Sequence, residues 1–285
     1  MSAEQHLAAA VQGVAQAPEK VAEELPNLIT LLEHFFPKSH FVHWLFRWEN
    51  IFFSLLVLSF IVIRSIGAAR KNEFLPQGLQ NRWELVFEGL SGFVTGILGP
   101  RGLEHVPFLG TLFLYILLQN WLGLLPFMKS PTSTWSTTIA LALITTVYIQ
   151  GVGIKAHGFV NYVKHIAGNP VGILGLALVP LMFVINLSIE FFAVPLSLSL
   201  RLFANVSSED KLIFKFAELN VMYHWLPFFF QLFANVLVIL FSFIQAFVFL
   251  LLSTVYISLI LPHEHEDEHD AAQEKSLSHP RSPTT

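Results

Sequence analysis

The sequence predicts an all-α integral membrane protein with about five membrane-embedded helices, a surface amphipathic helix, and a last pair of helices that is long and tilted. Hydrophobic residues make up 54% of the 285 residues and charged residues only 13%, and the mean hydropathy is +0.60. These values lie outside the range of average soluble domains. Several uncharged segments are also long enough to cross a bilayer as helices. We therefore place the chain in a membrane.

Composition excludes several classes of function. The chain contains no cysteine, so disulfides, thiolate metal sites, iron–sulfur clusters and c-type haem attachment are excluded, and we expect no cofactor. No basic patch with interleaved aromatic residues is present, so nucleic acid is not an expected partner. The sequence shows no nucleophile–base set, phosphate-binding loop or metal triad. We therefore do not expect the chain to be an enzyme on its own.

Changes of composition divide the chain into three regions. Residues 1–43 form a polar tail, in which residues 28–36 are predicted to lie at the interface as a short amphipathic helix. Residues 44–262 form the membrane domain. Residues 263–285 form an acidic, His-rich tail, which we predict to be disordered because it leads into Ser, Pro, Thr and charged residues. The alternative is a zinc or nickel site in the motif HEHEDEHD, but we predict no metal site.

The first membrane span sets the predicted orientation. Residues 51–63 are uncharged and lie between two tryptophans on one side and a group of basic residues on the other, namely Trp44, Trp48, Arg64, Arg70 and Lys71. Aromatic belts and cytoplasmic basic residues flank spans in this way. The N-terminus is therefore expected outside the cytoplasm and the C-terminus inside.

The middle of the chain is predicted to contain a surface helix and then a hairpin of two spans. Residues 81–98 have apolar residues at helical spacing mixed with charged ones, which suits a helix lying on the membrane surface. Residues 106–128 and 132–154 carry no charge, and each is long enough for one span. Residues 155–169 are then expected to be a loop on the cytoplasmic side.

The last two apolar stretches are too long for ordinary spans. As helices, residues 169–206 and 227–261 would be about 50 to 57 Å long, against roughly 30 Å of hydrocarbon. Either each contains two spans, or each is one strongly tilted helix. Neither contains a polar loop long enough to reverse the chain. This favours an antiparallel pair of oblique helices, kinked at Pro180 and Pro195.

Arg201 lies inside the apolar stretch PLSLSLRLFAN. A guanidinium stays protonated, and placing one at the centre of a bilayer costs between about 3 and 17 kcal/mol. The alternative, a side chain that snorkels to the headgroups, conflicts with the uncharged residues on both sides. Glu190 lies eleven residues before Arg201, which is three helical turns, so the two are predicted to share a face about 16 Å apart along the axis. Ser197 and Asn205 flank Arg201 at i−4 and i+4.

Acidic residues lie on both sides of Arg201. In the predicted orientation Glu190 lies toward the cytoplasm, while Glu209 and Asp210 lie toward the outer side. Acidic residues occur inside a membrane at positions that water reaches or where they relay protons. The pattern therefore predicts two aqueous half-paths separated by a fixed cation, with a direct ion pair between Glu190 and Arg201 as the structural alternative. His224 either lines the outer entrance or anchors the chain at the interface.

These residues carry a resemblance to a known family. PLSLSLRLFAN, followed about forty residues after Arg201 by FSFIQAFVFLLLSTVY, resembles the a subunit of F-type ATP synthases over roughly residues 110–260, with its core in 170–260. The resemblance implies that Arg201 is the essential arginine, Asn205 its neighbouring asparagine, Asp210 the outer acid and Gln245 the glutamine of the last helix. This chain departs from the common pattern by having two adjacent acids, so Glu209 and Asp210 could share the outer role.

The resemblance implies a mechanism and a set of partners. A ring of small hydrophobic c subunits carries one carboxylate per subunit, which is protonated from an outer half-channel and releases its proton into an inner one. Arg201 stabilises the ionised carboxylate and blocks a direct leak. Implied partners are this c-ring, peripheral-stalk b subunits, the other ATP synthase subunits, membrane lipid and protons, in a bacterial inner membrane. The alternative is a secondary ion transporter or channel in which Arg201 binds an anion, although the sequence shows no internal repeat.

Overall fold

The computed structural model describes residues 27–35, 40–69, 78–125, 127–168, 172–223 and 227–261. The regular structure in these ranges is helical throughout. The predicted polar tail before residue 27, His224 and the His-rich tail lie outside the described residues. The helices are α1 (Leu28–Phe35), α2 (His40–Arg47), α3 (Glu49–Ala69), α4 (Leu79–Leu98), α5 (Val106–Leu122), α6 (Trp135–His157), α7 (Phe159–Ile166), α8 (Gly172–Ser188), α9 (Val194–Tyr223) and α10 (Pro227–Ile260).

The number of apolar helices confirms the predicted fold class. Within the described ranges, four helical segments are long and apolar enough to cross a membrane: Glu49–Gly67, Trp135–His157, Leu178–Leu219 and Phe229–Ile260. Val106–Leu122 is a fifth, shorter apolar helix. Large apolar side chains remain exposed along α3, α8 and α10, as expected of helices whose outer faces contact lipid. Amphipathic α4 matches the predicted surface helix in extent, and its inner face packs on the bundle through Val94 and Phe93.

The second predicted span is shorter than its uncharged run. Residues 106–128 carry no charge, but α5 ends at Leu122 and Gly123 follows as its C-terminal cap. The N–H groups of Gly123, Leu124 and Leu125 turn back to carbonyls three residues earlier, at 3.1 to 3.3 Å, which tightens the chain into a turn. Hydropathy does not register this change because the turn residues are themselves apolar.

The predicted cytoplasmic loop, residues 155–169, is largely helical. α6 continues to His157, and Gly158, with a φ of +75°, ends it. Such a backbone angle suits glycine because a Cβ would clash. The chain then forms α7, which buries Tyr162 and Ile166, one helical turn apart, against the main core. The loop prediction was wrong because tertiary packing, not hydropathy, forms this helix.

The stretch that carries Arg201 is helical well beyond its predicted end at residue 206. A one-turn π-helix, Ile189–Ala193, joins α8 to α9, which runs on to Tyr223. The π turn ends two residues before Pro195, whose ring lacks an N–H and clashes with the carbonyl four residues earlier. It adds about one residue to the helical count, so the register shifts by about 100°. α8 runs through Pro180 without a break.

α9 and α10 pack side by side in opposite directions. Asn205 bonds to Gln245, and Glu209, one turn later on α9, bonds to Ser242, which lies earlier on α10. The main core lies between α5, α6, α9 and α10, with Leu109, Ile116, Ile149, Leu202 and Leu250 among its buried residues. This antiparallel contact agrees with the predicted pair of long helices, and their tilt stays a prediction.

Polar contacts show which helix ends lie together. At one end of the bundle Glu104 pairs with Lys155 at 3.8 Å, and His157 Nε2 donates to the Ile260 carbonyl at 2.8 Å. At the other end Lys129 Nζ lies 2.7 Å from Glu49 Oε1, and both side chains are nearly buried. Asn27 caps the first turn of α1 and donates to Glu49 at 3.3 Å, which fastens α1 to the same end.

Candidate functional site

Arg201 lies on the face of α9 that points away from the bundle. Its side chain is exposed, and so are Ser197 and Asn205 one turn to either side. Leu198 and Leu202, on the adjacent face of the same helix, are buried in the core. Within the described part of the chain, Arg201 forms no ion pair. The predicted i−4 and i+4 arrangement is therefore present, and it faces outward.

Asn205 and Gln245 join α9 to α10 beside the arginine. Asn205 Nδ2 donates to Gln245 Oε1 at 2.6 Å, and the Gln245 side chain is only 3% exposed. The Gln245 Nε2 group has no hydrogen-bond partner within the described ranges. Because an amide nitrogen carries two donors, this buried group can bond to water or to a ligand. The structure thus brings together two residues that the sequence analysis had placed on separate helices.

The two acids predicted to lie on the outer side, Glu209 and Asp210, face different neighbours. Glu209 is 8% exposed, and its Oε2 accepts a hydrogen bond from Ser242 on α10 at 2.9 Å. Asp210 is half-buried and faces the end of α5, where its Oδ1 lies 3.5 Å from the position that a Cβ on Gly123 would occupy. Adjacent helical residues point about 100° apart, which accounts for the divergence. Whether both acids serve one path stays a prediction.

Glu190 is not on the same face as Arg201. The predicted shared face required an uninterrupted α-helix, whereas Glu190 lies within the π turn that shifts the register. Its side chain is half-buried, and its Oε2 accepts a hydrogen bond from the Tyr162 hydroxyl at 3.0 Å. The Tyr162 hydroxyl also contacts Oε1 of Gln150 on α6. The candidate inner acid is therefore held by α7 and α6, and it forms no ion pair with Arg201.

A buried polar network that was not predicted from the sequence lies between α5 and the turn that precedes α6. Thr132 Oγ1 donates to Asn120 Oδ1 at 2.6 Å and is 2.7 Å from Ser130 Oγ. Ser130 Cβ is itself 3.0 Å from the Cβ position of Gly123, on the side where Asp210 lies. The sequence did contain a signal for this network, since Asn120 and Thr132 are polar residues inside otherwise apolar, uncharged runs. Tyr162 offered none, since it lies in the segment predicted to be a loop.

Several buried amide atoms lack partners within the described ranges, namely those of Asn50, Gln119, Asn120, Gln231 and Gln245. Buried polar groups are nearly always hydrogen-bonded, and water supplies the bond where protein does not. Asn120 connects through Thr132 and Ser130 to the surroundings of Asp210. The interior on this side is therefore polar enough to hold water. No group of three or more histidine or acidic residues suited to a metal occurs among the described residues.

Comparison with known proteins gives a consistent result. The family model described as ATP synthase A chain matches residues 51–258. A protein of Protochlamydia amoebophila named ATP synthase subunit a is 41% identical over 254 residues, which cover 85% of this chain and 91% of that protein. ATP synthase subunit a of Geobacter sulfurreducens is 37% identical over 217 residues, which cover 76% of this chain and 89% of that protein.

Proposed function

Because the chain belongs to the family of ATP synthase a subunits, we propose that it provides two offset aqueous half-channels to a rotor ring and that Arg201 separates them. Family membership makes it a proton-translocating subunit of the membrane sector, a multi-pass bacterial membrane protein that works in a complex with the other ATP synthase subunits. The catalytic sites belong to other subunits. The proposed direct partners are the ring of small c subunits and the peripheral-stalk b subunits.

The outward-facing arginine carries this proposal. An exposed guanidinium in lipid is costly, so a partner with a compensating charge is expected to cover this face of α9. A carboxylate on a passing rotor subunit meets that requirement, because opposite charges attract strongly where water is scarce. The neighbours Ser197 and Asn205 are small or polar, which allows close approach of another helix.

The acids on either side of Arg201 support two separate proton paths. On the outer side Asp210 adjoins the polar network of Ser130, Thr132 and Asn120, while Glu209 accepts a hydrogen bond from Ser242. On the inner side Glu190 lies near α7 and the end of α6. A proton reaches the rotor carboxylate from one path and leaves by the other after the ring turns. Each charge that crosses supplies about 2.3 kcal/mol per 100 mV, and this energy drives rotation.

The proposed orientation has the N-terminus outside and the C-terminus in the cytoplasm. The first span ends with Arg64 and the third with Lys155, which lies near Glu104 and the last turn of α10 at the same end of the bundle. Basic residues at span ends favour the cytoplasmic side. Glu190 then faces inward and Asp210 outward.

Single-cysteine cross-linking tests the proposal, since the chain has no cysteine of its own. We expect Ser197→Cys to form a disulfide with a cysteine introduced beside the rotor carboxylate. Ser199→Cys is the matched control, because Ser199 lies two residues away on the same helix but is fully buried on the opposite face. Cross-linking from Ser199→Cys and not from Ser197→Cys would show that the arginine face does not meet the ring.

A further inference from the structure

Tyr162 is almost completely buried beside Glu190, although it lies on the short helix α7 outside the membrane-spanning segments. Its hydroxyl is 3.0 Å from Glu190 Oε2 and also contacts Gln150 Oε1. We infer that Tyr162 is a positioning residue for proton release at Glu190, and that its hydroxyl exchanges hydrogen-bond partners between Glu190 and Gln150 as Glu190 gains and loses a proton. This inference rests on the proposed function, in which Glu190 serves the inner path.

The position of Tyr162 is fixed from several sides. A Cβ at Gly153 on α6 would lie 2.7 Å from Cε2 of the Tyr162 ring and 2.5 Å from Cγ2 of Ile260, so only glycine leaves room for the ring. The N–H of Tyr162 donates to the Gly158 carbonyl at 2.9 Å, which sets α7 directly after the turn. The Tyr162 ring is packed against α6 at its edge, and its hydroxyl contacts Glu190 and Gln150. Because the ring cannot move, its hydrogen bond keeps the carboxylate of Glu190 in one orientation.

The number of hydrogen atoms on the Tyr162 hydroxyl explains why it exchanges hydrogen-bond partners. A tyrosine hydroxyl has one hydrogen to donate and can also accept. When Glu190 is ionised, the hydroxyl donates to its carboxylate, and the Gln150 amide is turned so that its Nε2 group donates to the Tyr162 oxygen. When Glu190 is protonated, the carboxylic acid donates to the Tyr162 oxygen, and the hydroxyl turns to donate to Gln150 Oε1. Both states of the acid are then satisfied without moving a helix.

Tyr162 keeps its own proton throughout this exchange. Burial, and then the nearby charge of Glu190, raise the pKa of Tyr162 above its ordinary value. Tyr162 therefore acts as a neutral hydrogen-bonding group, and the proton released by Glu190 passes to water in the inner path. The other charged or titratable groups nearby make contacts elsewhere. Lys155 pairs with Glu104, and His157 bonds to the Ile260 carbonyl. The side chains of Lys164 and Arg201 are exposed.

The test measures passive proton conduction through assembled membrane sectors in vesicles stripped of the catalytic subunits, driven by an imposed membrane potential. Tyr162→Phe removes only the hydroxyl, and we expect conduction to fall about tenfold, the effect of one hydrogen bond to a charged group. Tyr148→Phe is the matched control, because it removes a tyrosine hydroxyl that bonds to His105 Nδ1 at the same end of the bundle. We expect the control to conduct within twofold of the unmodified complex.

A double-mutant cycle separates positioning from packing. If Tyr162 acts through Glu190, then adding Tyr162→Phe to Glu190→Gln lowers conduction no further, whereas a purely structural role adds its full effect. Unchanged conduction in Tyr162→Phe, or a full additive loss in the double variant, would overturn the inference. Failure here while Ser197→Cys still cross-links to the ring would reject the role of Tyr162 alone. Loss of that cross-link would reject the proposed function itself.

Discussion

Gly153 lies in close contact with α7 and α10, and Gly153→Ala tests the packing there. The added Cβ would lie 2.5 Å from Ile260 and 2.7 Å from the Tyr162 ring, distances that real Cβ atoms essentially never show. Overpacking of this kind costs about 1 to 3 kcal/mol, against at most about 1 kcal/mol gained from the better helix propensity of alanine. We expect a net loss of up to about 3 kcal/mol, together with slower proton conduction because the Tyr162 hydroxyl is displaced.

The assay is thermal dissociation of the detergent-solubilised complex, combined with conduction in vesicles. Gly151→Ala is the control, since Gly151 lies on the same helix with nothing within 4 Å of its Cβ position. That variant is expected to be unchanged, or more stable by about 0.5 to 1 kcal/mol. Equal stability and equal conduction in the two variants would refute the close contact between Gly153 and Tyr162. The explanation that position 153 needs a glycine to leave room for the Tyr162 ring would then also be wrong.

The remaining predictions concern the acids. If Glu209 and Asp210 share one outer entrance, Glu209→Gln and Asp210→Asn each slow ATP synthesis modestly, while the double change slows it far more than the product of the two. A double variant no worse than Asp210→Asn alone would contradict a role for Glu209. Glu190→Gln should act independently of both, because about 30 Å of helix separates it from Asp210, and strong coupling would contradict separate paths. Synthesis rate against an imposed proton gradient is the measurement for all variants.

The sequence was sufficient for the features that hydropathy and charge determine. The all-α membrane fold and the approximate extents of α4, α6 and α10 follow from uncharged runs and helical spacing. The contact between Asn205 and Gln245 agrees with the antiparallel arrangement inferred from the two long apolar stretches. These features depend on local composition, which a single sequence contains in full.

Features that depend on tertiary contacts or on backbone detail were missed. α7 exists because Tyr162 and Ile166 pack on the core, and its sequence alone resembles a loop. The π turn changes the face of Glu190 relative to Arg201, and an α-helical count cannot register it. α5 ends before Gly123, inside a run that stays uncharged to residue 128, so charge and hydropathy do not mark its end.

Arg201 itself provides the most direct test of the account. We predict that Arg201→Ala and Arg201→Gln abolish proton-driven ATP synthesis and ATP-driven acidification of vesicles while the complex remains assembled. Arg201→Lys should also fail, because a strongly hydrated ammonium that can lose its proton is a poor substitute for guanidinium. Amounts of chain and ring in the purified complex serve as the control for assembly. Near-normal acidification by Arg201→Ala would contradict the central claim that this arginine separates the two proton paths.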